Sequence, residues 1–127
     1  MFNPALLTLN RRTLIIATAA LLGPTAPALA HARLRQATPA PGATLSTAPK
    51  QVSITFSEAL EPKFSAIEVR NSSGKRFDNG PPRAGADSKT LIVDLKPLPT
   101  GDYTVVWRAT SVDTHKTDGS FSFMLHA

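Results

Sequence analysis

Apolar and polar residues alternate with period two along most of the chain. Val52, Ile54 and Phe56 interleave with Ser53, Thr55 and Ser57, the pattern of a strand with one buried face. Leu91, Val93 and Leu95 against Ile92, Asp94 and Lys96 give a second such strand. Over Gly101 to Thr110, Tyr103, Val105 and Trp107 mark the core face and Thr104, Val106 and Arg108 the other. Phe121, Phe123 and Leu125 face one way in a last strand over Ser120 to Leu125. Shorter runs predict a first strand over His31 to Thr38, closed by Pro39-Ala40-Pro41-Gly42, and another at Ile67-Glu68-Val69, closed by Asn71-Ser72-Ser73-Gly74. Glu58 to Lys63 reads as a charged bend. Lys75 to Lys89 reads as irregular with at most a short edge strand, because Phe77 is its only large apolar side chain beside Asp78, Gly80-Pro81-Pro82 and Gly85. No stretch keeps a helical period over three turns, so the chain is expected to form an all-β sandwich. Tyr103, after Pro99-Thr100-Gly101, fits a tyrosine corner and an ordinary core aromatic equally well.

The first thirty residues follow a different pattern. Arg11-Arg12, the apolar run Thr13 to Gly23 and the small residues Ala28-x-Ala30 have the three parts of a secretory signal cleaved after Ala30. The run is shorter than the roughly 20 residues a membrane span needs. Leu9 to Leu14 suits a twin-arginine signal and a general secretory n-region alike. The expected organisation is a signal over 1–30 and one exported, periplasmic domain over 31–127 with no membrane span of its own. That domain carries twelve basic and nine acidic residues, a net charge of +3, and its bases are scattered from Arg33 to Lys116 with no run that would track a phosphate backbone. Nucleic-acid binding is not expected. Cysteine is absent, which excludes a disulfide staple, a thiolate metal site and a blue-copper centre. Only Met124 remains after cleavage, so a thioether cluster for Cu(I) is excluded as well.

Cleavage after Ala30 turns His31 into an N-terminal histidine, which offers an α-amine and an imidazole on one residue. A residue left in front of it would convert the amine to an amide. In Ser111-Val112-Asp113-Thr114-His115-Lys116-Thr117-Asp118-Gly119, the expected loop between the last two strands, Asp113 and His115 stand at i and i+2 and point to one side if the backbone is extended. Either motif alone is common. Together, in a chain with three histidines, they make His31, Asp113 and His115 the candidate metal ligands. Three nitrogens and one oxygen in a plane suit Cu(II) above Ni(II) or Zn(II). The third histidine, His126, reads as an exposed tail residue.

The chain resembles the CopC family of periplasmic copper-binding proteins of bacterial copper resistance and uptake. The resemblance rests on His31, on Phe56-Ser57-Glu58 with Glu61-Pro62-Lys63-Phe64, on Leu98 to Trp107, and on Ser111 to Gly119 leading into Phe121-Ser122-Phe123. It implies a seven-stranded Greek-key β-sandwich or barrel with one Cu(II) per chain at one end, held by His31, Asp113 and His115. Glu58 corresponds to an acidic residue near the copper, where it would orient a ligand or a bound water; an exposed turn carboxylate is the plain alternative. Some members also hold Cu(I) through a methionine-rich loop, and this chain departs from them, so it is expected to be a Cu(II)-only member. The expected role is sequestration or delivery of copper; the family's association with an inner-membrane partner, CopD, implies delivery, and a monomer is the default state.

Other classes fit less well. A histidine-brace oxidative enzyme would want open the equatorial position that Asp113 takes, and 97 residues leave little substrate platform. A plain adhesion or assembly module would make the histidines incidental. A hydrolase lacks a nucleophile-elbow motif beside its histidines. The chain is therefore expected not to be an enzyme.

Overall fold

The computed structural model describes residues 31–126; the signal and cleavage site expected over 1–30, and Ala127, lie outside the described residues. Eight strands form two four-stranded sheets. Among the described residues they are, in chain order, β1 (Leu34–Thr38), β2 (Thr44–Leu45), β3 (Gln51–Phe56), β4 (Ala66–Asn71), β5 (Asp78–Ala84), β6 (Thr90–Leu95), β7 (Gly101–Thr110) and β8 (Lys116–Leu125), with a 3-10 turn at Pro62–Phe64. The sheets run β1-β3-β6-β5 and β2-β8-β7-β4. The chain therefore crosses between layers repeatedly, as a Greek-key sandwich requires. Among the described residues no helix is long and apolar enough to cross a membrane.

The alternating residues close the core from both sides. Val52, Ile54 and Phe56 of β3 and Leu91 and Val93 of β6 face Ile67 and Val69 of β4, Tyr103, Val105 and Trp107 of β7, and Phe123 and Leu125 of β8, all buried. Burying each large side chain is worth about 1.5–3 kcal/mol, and a sandwich with no disulfide depends on that sum. Tyr103 meets both readings of its position. Its ring stacks on Phe123 at 5.3 Å and meets Phe77 edge-on at 5.6 Å, while its hydroxyl donates to Pro99 O four residues upstream.

Three expectations need correction. The sandwich holds eight strands among the described residues where seven were expected, because the two-residue β2 pairs parallel with the end of β8, Met124 N–H donating to Ala43 O at 2.8 Å and His126 N–H to Leu45 O at 2.9 Å. Lys75 to Lys89 contains a seven-residue edge strand, β5, paired with β6 at both ends and broken in register between Asn79 and Arg83. Pro81 and Pro82 fall in that break, where missing N–H groups cost no ladder bonds. The last strand begins at Lys116 rather than Ser120, since Thr110 pairs with Lys116 and the ladder runs unbroken to Gly101 with Leu125.

One side of the sandwich is sealed where β4 runs into β5. Phe77 N–H donates to Val69 O at 2.7 Å and Phe77 O accepts from Lys96 N–H at 2.8 Å, tying the two sheets. Asp78 reinforces the seam. Its side chain, 7% exposed, accepts from Val69 N–H at 3.0 Å and pairs with Arg76 at 2.6 Å. Burial pushes this carboxyl up, but the bonds from Arg76 and Val69 outweigh it and hold the group below the ordinary carboxylate value. A depressed folded-state value means a contribution that is complete above about pH 5 and lost as pH falls through about 4 and below. Asp78→Asn is expected to cost about 1–2 kcal/mol at pH 7 and to flatten the acid side of the stability curve. Urea unfolding at pH 7 and pH 3 measures it: an equal loss at both values would mean that Asp78 acts by packing and not by charge.

Candidate metal centre

At one end of the sandwich β7 stops at Thr110 and β8 starts at Lys116, leaving the five-residue connection Ser111 to His115. The connection is a tight turn. Ser111 N–H donates to His115 O at 2.9 Å and Thr114 N–H to Ser111 O at 2.8 Å. Closing it puts Thr114 at φ 73°, a left-handed conformation that is strained for a β-branched residue. Ser111 is buried beneath the turn at 2% exposure and donates from its hydroxyl to Asp113 Oδ1. The same turn is braced from outside by Val112 N–H donating to Ala59 O at 3.0 Å and Glu61 N–H to Thr110 O at 2.9 Å.

The turn brings Asp113 and His115 together. Asp113 Oδ2 lies 3.2 Å from His115 Nδ1. That nitrogen is shielded from solvent and has no hydrogen-bond partner, because the close approach lacks hydrogen-bond alignment. The bond from Ser111 is the main cause of an Asp113 carboxyl held below the ordinary value, against an opposing effect of burial and with help from the His115 N–H and imidazole. Asp113 is thus ionised at neutral pH. The convergence does not arise from an extended backbone, as the i, i+2 spacing implied; the left-handed Thr114 reverses the chain between the two residues.

His31 arrives from the other sheet. The arm His31–Arg33 precedes β1 and passes across the mouth of the sandwich, and the His31 ring meets the His115 ring edge-on with centroids 5.1 Å apart and planes at 83°. All three candidate ligands therefore stand at one end. They form a chain of two contacts, Asp113 to His115 to His31. Among the described residues no group of three His, Asp and Glu side chains is drawn to one metal-sized point. The atoms available to a metal are the unpartnered His115 nitrogen, an Asp113 oxygen and the His31 imidazole.

Glu58 follows Ser57 just past β3 and is half-buried, but the hydrogen bonds that hold Asp113 come from Ser111 and from His115 N–H at 3.4 Å, not from Glu58. His126 sits at the far end of β8, its Nε2 3.7 Å from Asp102 Oδ1, both side chains well exposed. Ser57, Ser111 and Thr117 lie within motifs that the sequence singles out, but sequence reasoning assigns their hydroxyls no role. A serine two residues before Asp113, with a hydroxyl in reach of that carboxylate, is a signal that was present in Ser111-x-Asp113.

Comparisons with known proteins bear on the family and the fold. Residues 34–126 match the family pattern described as the CopC domain. The chain is 36% identical to Protein YobA of Escherichia coli K12 over 115 residues, 89% of this chain and 91% of the relative, and 37% identical to copper resistance protein C of Xanthomonas campestris pv. juglandis over 118 residues, 87% and 91%. It also matches copper transport protein CutJ of Bacillus subtilis, 36% identical over 98 residues that make up 76% of this chain and 18% of that protein. Among solved structures, CopC from Methylosinus trichosporium OB3b superposes with a TM-score of 0.70 at 30% identity, covering 75% of this chain and 93% of the other. PcoC from Escherichia coli, a methionine-rich copper resistance protein, gives 0.68 at 32% identity, covering 76% and 100%. The matched segment runs from the first residue of β1 to one residue past β8, and the chain belongs to the CopC family of copper resistance proteins.

Proposed function

We propose that this protein binds one Cu(II) ion per chain in the periplasm, through the amine and imidazole of a mature N-terminal His31, the imidazole of His115 and the carboxylate of Asp113, and that it sequesters the ion or hands it on. The observation that carries the reading is the unpartnered, shielded His115 Nδ1 beside Asp113 Oδ2. A buried polar atom without a partner is costly, and a metal ion relieves that cost. Two donors each about 2.0 Å from one ion stand about 2.8–3.3 Å apart, a range that includes the 3.2 Å separation. The exposed His31 ring, its centroid 5.1 Å from that of His115, supplies the second imidazole in this reading.

The donor set favours Cu(II) over zinc, and the single methionine after residue 30, Met124, supports a Cu(II)-only carrier. Glu58 stands behind the ligands in this reading and orients a bound water. Delivery to an inner-membrane transporter of CopD type is supported by CutJ, a copper transport protein in which the matched segment is 18% of the length. The protein acts as a monomeric carrier and not as a catalyst.

Competitive Cu(II) titration of protein beginning at His31 tests the proposal. One tight equivalent at pH 7.5 is expected, and its affinity falls steadily as pH drops through about 8 to 6, where amines and imidazoles take up protons and compete with the metal. Uptake of no tight equivalent would overturn the reading.

A further inference from the structure

We infer that the hydroxyls of Ser57 and Thr117 form a two-sided clasp on the arm His31–Arg33, and that these positioning residues set how fast copper leaves. The inference rests on the carrier reading above. The arm lies ahead of the β1 ladder, whose pairing starts at Leu34 with Phe56, so other contacts must hold it. On the first sheet's side, Arg33 N–H donates to Ser57 Oγ at 2.9 Å, Ser57 Oγ donates to His31 O at 3.2 Å, and Ser57 N–H donates to Arg33 O at 2.8 Å. From β8 in the second sheet, Thr117 Oγ1 donates to Ala32 O at 2.8 Å. The Ala32 methyl is buried between them at 1% exposure.

Each arm residue is therefore tied through its backbone, and three of the four bonds run through a side-chain hydroxyl. The tie matters because the ligands are split. Asp113 and His115 belong to the turn between β7 and β8, whereas His31 belongs to the arm. An ion held by both is released most simply by lifting the arm, which removes the chelating residue in one movement. Lifting breaks the bonds to Ser57 and Thr117 and frees a backbone that the clasp had already ordered. The clasp thus organises the site before metal arrives and slows its departure, and differences between closely related complexes lie mostly in dissociation.

The test uses stopped-flow transfer of Cu(II) from loaded protein beginning at His31 to excess EDTA, with Ser57→Ala, Thr117→Val and Ser57→Thr. Loss of one such hydrogen bond corresponds to a rate increase of about two- to tenfold, so Thr117→Val, which removes one bond, is expected to release copper several-fold faster, Ser57→Ala, which removes two, faster than that, the double variant fastest and Ser57→Thr near wild type. The spectrum of the saturated site by electron paramagnetic resonance should not change, because the ligands are the same. In copper-free protein the Arg33 amide should exchange with solvent faster in Ser57→Ala. Wild-type binding with variants that release at the wild-type rate overturns the clasp alone. A wild-type protein that takes up no Cu(II) overturns the carrier reading and the release role with it, while Arg33 exchange still reports whether the arm is tied.

Discussion

A single glycine added ahead of His31 is expected to weaken Cu(II) binding by more than about a hundredfold. Removing a group that only supports a metal ligand costs about 10- to 100-fold, and the added residue removes a ligand outright by turning the α-amine into an amide. The change should be local. The arm's bonds run through His31 O, the Ala32 carbonyl and Arg33, and none of them uses the His31 nitrogen. His115→Ala is expected to weaken binding as strongly, since it takes away the imidazole that both other candidate ligands approach. Asp113→Asn should cost less, because it leaves the amine and both imidazoles in place and takes away only the one carboxylate donor with its charge. Competitive titration beside the wild type reads all three. Equal affinity with and without the extra glycine would remove the amine from the site and leave the two imidazoles and Asp113 as its only donors.

Gly119→Val is expected to destabilise the fold by about 3 kcal/mol, the upper part of the range for overpacking, lowering the melting temperature by about 12–24 °C for a domain of this size. Gly119 pairs with Trp107 across β7 and β8. A Cβ built there would stand 2.6 Å from Trp107 Cζ2 and 2.9 Å from Cε2. The indole cannot easily retreat, because it packs edge-on against Phe56 at 5.0 Å in the centre of the core. Gly119→Ala should show the same sign at about 1–2 kcal/mol, the smaller side chain making fewer clashes. Thermal unfolding followed by Trp107 fluorescence measures both. A melting temperature within 2 °C of wild type for the valine variant would mean that the ring has room to shift and that Gly119 is there for another reason.

The two predictions differ in how much of their basis can be read along the chain. Val52-Ile54-Phe56, Leu91-Val93 and Tyr103-Val105-Trp107 announce their strands because every inward position is apolar, and all of these side chains are buried. The beginning of β8 does not announce itself. Its inward positions are Thr117 and Gly119, one bonded to the arm and one left bare to admit an indole, and neither carries a period-two apolar signal. The two-residue β2 exists because the end of β8 offers it an edge, and β5 is a strand because β6 lies beside Asp78–Asn79 and Arg83–Ala84. Pairing of that kind is a property of neighbours and not of the segment.

At the metal centre the division is similar. The sequence by itself determined the all-β class, the absence of thiolate chemistry, and the identities of His31, Asp113 and His115 as the chemistry worth testing, because composition and alternation are local properties. Only the tertiary structure decided how those residues meet. The pairing of Thr110 with Lys116 closes a five-residue turn, that closure drives Thr114 to a positive φ, and Ser111 anchors Asp113 from below. The arm that carries His31 is held by hydroxyls from the two layers, Ser57 just past β3 and Thr117 in β8, which are 60 residues apart along the chain. No local pattern encodes such a contact, since what selects it is the geometry of two layers packed face to face.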